Sequence, residues 1–291
     1  MSRILLLSAV FLLPCFLIIE SNAQPTVSAS IKPLQLIAAA ITADAEFAEE
    51  PGLIIGPAQD PHHPFLRPSE RHTLYEADVL LWIGPQLEAA LADIIDSNAP
   101  SVINVYELIE EAGLTIEVEG GIADPHVWLA SRNSRLIAAA LSQKLIELDP
   151  AQGPLYEENL RQFQSTMDAL DSEINSALQG LKGQPFAVYH NAFSYYEKQY
   201  GLMHTASFTE NEELQPGIRK VMQIRESLEA NDVFCLLLEP SNNPDEIRQL
   251  TGRDMNLVSI DILGFDYAVN KTAYRDFMRG ITQAIKQCLQ R

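Results

Sequence analysis

The sequence predicts an α/β protein of two lobes, each a mostly parallel sheet flanked by helices, joined by one long rigid helix. Short apolar segments of strand length alternate with segments of helical periodicity along the chain. One helical segment, 154–181, is interrupted by no strand. Its place midway between two series of strand–helix units indicates a connector between two lobes.

The segments of strand length are apolar and are followed by segments with the 3.6-residue period of a helix. The strand segments lie at 27–31, 79–83, 102–105, 186–189, 233–238 and 257–260. The helical segments lie at 34–41, 87–95, 134–148, 193–200, 218–228 and 271–289. Because repeated strand–helix units form parallel sheets covered on both faces, we expect such a sheet in each lobe.

The long segment 154–181 has the features of a single amphipathic helix. Its apolar residues are spaced by threes and fours, Pro154 suits a first helical turn, and Gly180 and Gly183 are stop signals. A helix of this length spans roughly 40 Å. A coiled-coil or surface helix is the alternative. A connector explains the position better, and it divides the chain into lobes at 24–152 and 182–291, with the linking helix at 153–181.

Residues 1–23 have the pattern of a cleavable secretory signal peptide. Arg3 precedes an apolar stretch at 4–19, and small residues follow at 21–23. A membrane anchor is the alternative, but the stretch is shorter than the roughly 20 residues that span a bilayer. Cys15 lacks the preceding small residues of a lipid-attachment site. We therefore expect export, with a periplasmic mature chain.

The chain is strongly acidic, with a formal net charge of -19. Such a field repels nucleic acid and anionic membranes and attracts cations weakly. Nucleic acid is therefore excluded as a partner. The charge otherwise indicates a solvated surface rather than a particular function.

Two of the three cysteines, Cys235 and Cys288, lie outside the predicted signal peptide. In an oxidising compartment they favour a disulfide that would fasten the last helix to its sheet. Two free thiols, or a cysteine-containing metal site, are the alternatives.

Three of the six histidines lie in separate segments beside stiff or aromatic neighbours. His62 and His126 each follow a proline, and His190 ends an apolar strand segment, where parallel sheets place ligand residues. Asp261 closes the last strand segment. Three imidazoles and a carboxylate suit Zn²⁺. We therefore predict a metal site of His62, His126, His190 and Asp261 that bridges the two lobes.

The motifs around these residues resemble the periplasmic zinc-binding proteins of ABC importers over nearly the whole mature chain. The motifs are Pro61-His62 with Leu66-Arg67-Pro68-Ser69-Glu70, Trp82-Ile83-Gly84-Pro85, Asp124-Pro125-His126-Val127-Trp128, Tyr189-His190-Asn191-Ala192-Phe193 and Asp261 before Leu263-Gly264. The resemblance implies a monomer that holds one Zn²⁺ as cargo in the cleft and delivers it to a membrane permease with its ATPase. It also implies a disulfide at the two cysteines.

Three features depart from this family pattern. Ile262 replaces the proline that usually follows the aspartate, and His63-Pro64 replaces a polar-aromatic pair. The stretch 97–122 lacks the histidine-rich loop that many zinc-type members insert. We expect the His63 ring to point away from the metal. His72 and His204, which lack such neighbourhoods, are expected to be structural.

Other functions are open at this point. Manganese or iron is the alternative cargo, although the manganese-type relatives usually carry a carboxylate in the segment of His190. A secreted zinc hydrolase would need an open metal position and a base such as Glu210 or Glu239, and the sequence has no His-Glu-x-x-His motif. An adhesin is a third reading that no motif specifies. We therefore expect no enzymatic activity.

Overall fold

The computed structural model describes residues 24–45, 49–57, 59–98, 101–118, 120–209 and 217–290, with backbone only at 96–98. The predicted signal peptide, with Cys15, lies outside these ranges, as does Glu210. Within them, no helix is both long enough and apolar enough to cross a bilayer.

The first part of the chain forms a four-stranded sheet with helices packed around it. The strands are β1 (Val27–Ala29), β2 (Gly52–Leu53), β3 (Val79–Trp82) and β4 (Ser101–Asn104). They are all parallel, in the order β2-β1-β3-β4. The helices are α1 (Lys32–Thr42), α2 (Pro68–Tyr75), α3 (Ala89–Asn98), α4 (Val105–Glu111) and α5 (Ser131–Leu148). A separate antiparallel hairpin joins β5 (Glu117–Val118) to β6 (Ile122–Ala123).

The last part of the chain repeats this arrangement. The strands β7 (Ala187–His190), β8 (Ala206–Thr209), β9 (Cys235–Leu238) and β10 (Asn256–Ser259) form a parallel sheet in the order β10-β9-β7-β8. The helices are α7 (Ser194–Tyr200), α8 (Ile218–Ala230), α9 (Pro244–Thr251) and α10 (Ala273–Leu289). Two short 3₁₀ turns, Val127–Leu129 and Pro150–Gln152, lie before α5 and before the long helix.

The long helix between the sheets is α6 (Gly153–Leu178). Its buried face includes Phe163, Met167 and Ile174, at the spacing of threes and fours that predicted it. The fold class predicted from the sequence, two parallel sheets flanked by helices and joined by a long helix, is therefore confirmed.

Several short elements were absent from the sequence-based prediction: β2, the β5–β6 hairpin, α2, α4, β8 and α9. Strand β2 has two residues, too few to show a period. Helix α2 buries a single side chain, Leu74, so it has no apolar stripe. The predicted strand 102–105 ends one residue late, because Val105 already begins α4.

One large apolar core cluster spans the two sheets, and a second, smaller cluster lies within the last part of the chain. The large cluster includes side chains from both sheets, such as Leu81 and Val188, with Ile37 of α1, Met167 of α6 and Phe277 of α10. Helix α10 packs against α6 and α1 as well as its own sheet. Burial of apolar surface thus opposes separation of the lobes.

Two hydrogen bonds at one residue cross between the lobes close to the predicted ligands. The Trp128 indole N–H donates to the Ile262 carbonyl at 2.8 Å. The Trp128 carbonyl accepts from the Tyr274 hydroxyl at 2.7 Å. All three residues are buried, where such bonds are costly to break. The segment after His126 is therefore fixed to the loop after Asp261.

A polar network centred on Asp171 of α6 joins α5, α6 and α7. Its carboxylate accepts from Arg135 of α5 at 2.8 Å and from Gln199 and Tyr200 of α7 at 3.0 and 2.7 Å. Ser131, at the start of α5, also donates to it. One carboxylate thus bonds groups from both lobes to the linking helix.

The predicted disulfide is confirmed between Cys235 of β9 and Cys288 of α10. Both residues are fully buried. The bridge closes a segment with a sequence separation of 53 residues and fastens α10, which also contacts α1 and α6.

Replacing both Cys235 and Cys288 with alanine should lower the free energy of unfolding by at most about 4 kcal/mol, because an unbridged unfolded chain has more loop entropy. Urea unfolding of the metal-free protein measures this. A reductant should destabilise the parent protein and leave the variant unchanged. Equal stability of the two proteins under oxidising conditions would contradict the expectation.

Candidate metal centre

Two of the predicted ligands lie at the carboxyl-terminal ends of strands of the second sheet, as parallel sheets favour. His190 is the last residue of β7, and Asp261 lies just after β10. His62 lies on the loop between β2 and α2, and His126 lies between β6 and the Val127–Leu129 turn. The second sheet therefore supplies His190 and Asp261, whereas His62 and His126 are supplied by loops of the first part of the chain.

The structure brings the three histidines together. One ligand nitrogen from each of His62, His126 and His190 lies within 4.8 Å of the others. The ring centroids are 5.4 Å apart for His62–His126, 5.5 Å for His62–His190 and 4.7 Å for His126–His190. Imidazoles at Zn–N distances of about 2.0–2.1 Å and tetrahedral angles have centroids roughly 5 Å apart. The three rings thus fit a single zinc ion.

Two carboxylates orient two of these rings. His126 Nδ1 lies 2.8 Å from Asp124 Oδ1, and His190 Nδ1 lies 2.6 Å from Glu239 Oε1. A carboxylate accepts hydrogen bonds, so a neutral imidazole donates through Nδ1 and keeps its lone pair on Nε2. This arrangement is typical of histidines that bind metals.

The Nε2 atoms of His126 and His190 are buried and have no hydrogen-bond partner among the described residues. Burying such a nitrogen without a partner costs free energy. A metal ion bound by the three rings would remove that cost. The donor set and the unpaired Nε2 atoms therefore both fit a divalent cation.

The electrostatics keep two of the rings neutral. Burial, with repulsion from His126 and His190, lowers the pKa of His62 to about 2. Burial also lowers the pKa of His126, although Asp124 acts to raise it. Because metals bind the neutral ring, both side chains are ready to bind well below the ordinary pKa of imidazole.

The predicted fourth ligand, Asp261, is not part of the three-histidine group. Its Oδ1 accepts from the backbone N–H groups of Leu263 and Gly264, at 3.0 and 2.8 Å, and its Oδ2 accepts from that of Asp266 at 3.2 Å. Gly264 has a φ of +73°, and a Cβ there would lie 2.9 Å from Phe277. The carboxylate thus shapes a tight loop, and its role as a ligand stays a prediction.

The remaining histidines described have other surroundings. The His63 side chain is 55% exposed and lies beside Asp60. His72 is exposed on α2, with Nδ1 3.7 Å from Glu76. His204 Nδ1 lies 2.8 Å from Glu197 Oε1, which repeats the carboxylate–histidine bond outside the centre. None of the three joins the metal-binding group.

The sequence-based prediction missed the orienting roles of Asp124 and Glu239. Asp124 is two residues before His126, so the Asp-Pro-His motif could have revealed it. Glu239 follows β9, and its bond to His190 depends on the pairing of β9 with β7. No local motif encodes that pairing. Glu239, which was considered above as the base of a hydrolase, thus forms a hydrogen bond with the His190 ring.

Comparison with known proteins decides the family. Residues 27–288 match the profile of the family described as "Zinc-uptake complex component A periplasmic", or ZnuA. The chain belongs to the ZnuA family. The match covers both sheets, the long helix and all four predicted ligands, so the resemblance seen in the motifs is confirmed.

Curated ZnuA proteins are similar to the chain over nearly its full length. The high-affinity zinc uptake system protein ZnuA of Yersinia pestis is 29% identical over 296 residues, 92% of each chain. The protein of that name from Haemophilus ducreyi is 28% identical, over 93% of this chain and 95% of its own.

Solved structures share the ZnuA fold of this chain. A crystal structure of ZnuA matches with a TM-score of 0.76 at 22% identity. The match covers 92% of this chain and 100% of the chain in that structure. The laminin-binding protein of Streptococcus agalactiae, described as bifunctional with adhesin and metal-transporting activity, matches with a TM-score of 0.79 at 20% identity. The match covers 92% of this chain and 100% of that protein's chain. At these identities the likeness shows the fold alone.

Replacing Asp124 with asparagine, or Glu239 with glutamine, should weaken metal binding by about 10–100-fold. An amide can turn its NH₂ toward Nδ1 and so favour the tautomer with hydrogen on Nε2. Competition for Zn²⁺ with a fluorescent chelator measures the affinity. Glu197→Gln, which alters the same kind of bond at His204, is the matched control. A loss as large in that control would contradict the orienting role.

The metal-free protein should lose stability as the pH falls below 6.5. The unfolded His62 ring takes up a proton near its ordinary pKa, whereas the folded ring, with a pKa of about 2, does not. The unfolded state thus binds more protons, and stability decreases by up to about 2 kcal/mol per such ring between pH 6.5 and 5. Urea unfolding at both pH values, with chelator, measures it. The His62→Gln variant should lose less stability than the parent protein between these pH values. An equal loss would contradict the lowered pKa of His62.

Proposed function

We propose that this ZnuA-family protein binds one Zn²⁺ between its two lobes and delivers it to a membrane permease for uptake. The observation that carries the proposal is the convergence of His62, His126 and His190, with two unpaired Nε2 atoms buried at their meeting point. The ion is cargo, so binding and release are the whole reaction.

We propose His62, His126 and His190 as three ligands and Asp261 as the fourth. The three-imidazole geometry supports the first part. The ligand role of Asp261 is supported by the bond from Trp128 to Ile262, since Trp128 lies two residues after His126 and Ile262 lies one residue after Asp261. To bind the ion, the Asp261 carboxylate would exchange at least one backbone hydrogen bond for the metal. Water at the fourth position is the alternative, and Asp261→Asn distinguishes the two.

Zinc is preferred over manganese because of the ligand chemistry. Three imidazoles suit Zn²⁺, whereas Mn²⁺ favours carboxylate and water oxygens. The third position is His190 rather than a carboxylate, and its Nδ1 is held by Glu239. Similarity to relatives named for high-affinity zinc uptake supports the same cargo.

Delivery defines the partners and the compartment. We propose that residues 1–23 direct export and are removed, and that the mature protein works as a monomer in the periplasm. Its lobes would be 24–152 and 182–291, with 153–181 as the linking helix. The permease and its ATPase are the proposed membrane partners. The disulfide between Cys235 and Cys288 supports an oxidising compartment.

An enzymatic role is not proposed. A catalytic zinc needs an open position and a base free to act on water. Glu239, considered as a base, is buried against His190 Nδ1. The carboxylate thus holds a ligand ring instead of facing a substrate.

Removal of any one of the three histidines should weaken Zn²⁺ binding by about 100-fold. The binding free energy of a four-ligand zinc site is about 10–16 kcal/mol. A quarter of it, the share of one ligand, is roughly 3 kcal/mol, which corresponds to about 100-fold in affinity. The test is chelator competition with metal-free protein and the variants His62→Ala, His126→Ala and His190→Ala. Parallel titrations with Mn²⁺ give the selectivity.

His204→Ala is the matched control, because His204 is also held by a carboxylate but lies outside the centre. Its Zn²⁺ affinity should equal that of the parent protein. If the Asp261 carboxylate is a ligand, Asp261→Asn should weaken Zn²⁺ binding as the histidine variants do. If water is the fourth ligand, the Zn²⁺ affinity of Asp261→Asn should equal that of the control. Unchanged zinc affinity in all three histidine variants, or tighter binding of Mn²⁺ than of Zn²⁺, would overturn the proposal.

A further inference from the structure

A tight turn beside the metal centre places an exposed imidazole next to a carboxylate. The backbone N–H of His63 donates to the Asp60 carbonyl at 3.1 Å. The backbone N–H of His62 donates to Asp60 Oδ1 at 2.9 Å. The first bond fixes the Asp60 backbone, and the second fixes its carboxylate. His63 Nδ1 lies 3.5 Å from the other carboxylate oxygen, Oδ2.

The two side chains form a long hydrogen bond whose spacing also fits a shared metal ion. A separation of 3.5 Å is long for an N–H···O bond. Zinc held at about 2.0–2.1 Å by nitrogen and about 2.0–2.2 Å by oxygen, at a tetrahedral angle, separates the two ligand atoms by about 3.3–3.5 Å. The His63 side chain is 55% exposed, so a hydrated ion can reach it from solvent.

The same turn carries a ligand of the central site. His62 lies between Asp60 and His63 in the chain, directly before His63. Its backbone N–H donates to the Asp60 carboxylate. The rings of His126 and His190 that it faces are buried. An ion that reaches them must lose most of its water, which is costly unless ligands replace water one at a time.

We propose that Asp60 and His63 form an entry site, which binds hydrated Zn²⁺ with two ligands and passes it to His62 and then to the three-imidazole centre. The inference rests on the proposed function and adds a route to it. The ion exchanges water for imidazole nitrogen at each step, and no bond within the protein is made or broken.

An entry site has a kinetic signature. It is absent from the final ligand set, so its loss slows binding and release by the same factor and leaves the equilibrium affinity unchanged. A final ligand behaves differently, because its loss weakens the affinity. Rates and affinity together therefore distinguish the two roles.

The experiment is stopped-flow mixing of metal-free protein with zinc sulfate, followed by tryptophan fluorescence. The Trp128 ring lies 5.2 Å from that of His126, so it reports arrival at the centre. His63→Gln should lower both the association and the dissociation rate constants by about tenfold, with the dissociation constant within twofold of the parent value, about 0.4 kcal/mol. Asp60→Asn keeps an oxygen for the His62 N–H but loses the second carboxylate oxygen, and it should slow both rates similarly.

His72→Gln is the matched control, since His72 is also exposed with a carboxylate 3.7 Å away, but it lines a cavity with Thr26 and Val27 at the other end of the first sheet. Its rates should equal those of the parent protein. Repeating the measurement in about 0.5 M NaCl, where charges are screened beyond roughly 4 Å, separates direct capture from the attraction of the acidic surface.

Unchanged association in the His63 variant would overturn the entry site. So would a weakened affinity with unchanged association, because it would make His63 a ligand of the centre. An equal slowing in the His72 control would also overturn it. If the parent protein binds no Zn²⁺ in the equilibrium titration, the proposed function itself fails, and this result is known before any rates are compared.

Discussion

The proposed metal centre depends on two hydrogen bonds, from His126 to Asp124 and from His190 to Glu239. Each bond selects the ring nitrogen that faces the other imidazoles and prevents the ring from rotating. The two carboxylates lie in different lobes, so each lobe orients its own proposed ligand. The cost is a pair of buried nitrogens without partners, which a cation relieves. Binding energy and orientation therefore come from the same few atoms.

Contacts away from the ligands set the distance between the rings. The Trp128 bonds to Ile262 and Tyr274 lie beside the centre, whereas the Asp171 network lies on the linking helix. Both join the two lobes. These contacts hold the imidazole centroids 4.7–5.5 Å apart. Such pre-organisation reduces the entropy lost on binding, and it agrees with a linking helix that has no glycine inside 154–178.

The sequence predicted the features that local patterns encode. The long helix and the main strands follow from periodicity, and His62, His126 and His190 follow from their stiff or aromatic neighbours. The partner of His190 could not be predicted, because Glu239 is near it only through the β9–β7 pairing. The loop role of Asp261 was missed for a similar reason, since three backbone N–H groups compete for its carboxylate. Short elements such as β2 escaped detection because two residues show no period.

The shared apolar core has a consequence for how such a protein can evolve. Two domains with separate cores can be exchanged between genes, because each keeps its own stability. Here α1 and α10, from opposite ends of the chain, pack against each other and against α6. A lobe taken from another protein would need complementary side chains on all three helices. We therefore expect the two halves to be exchangeable only as a matched pair, and a change of side-chain volume at this three-helix junction to alter the spacing of the three imidazoles.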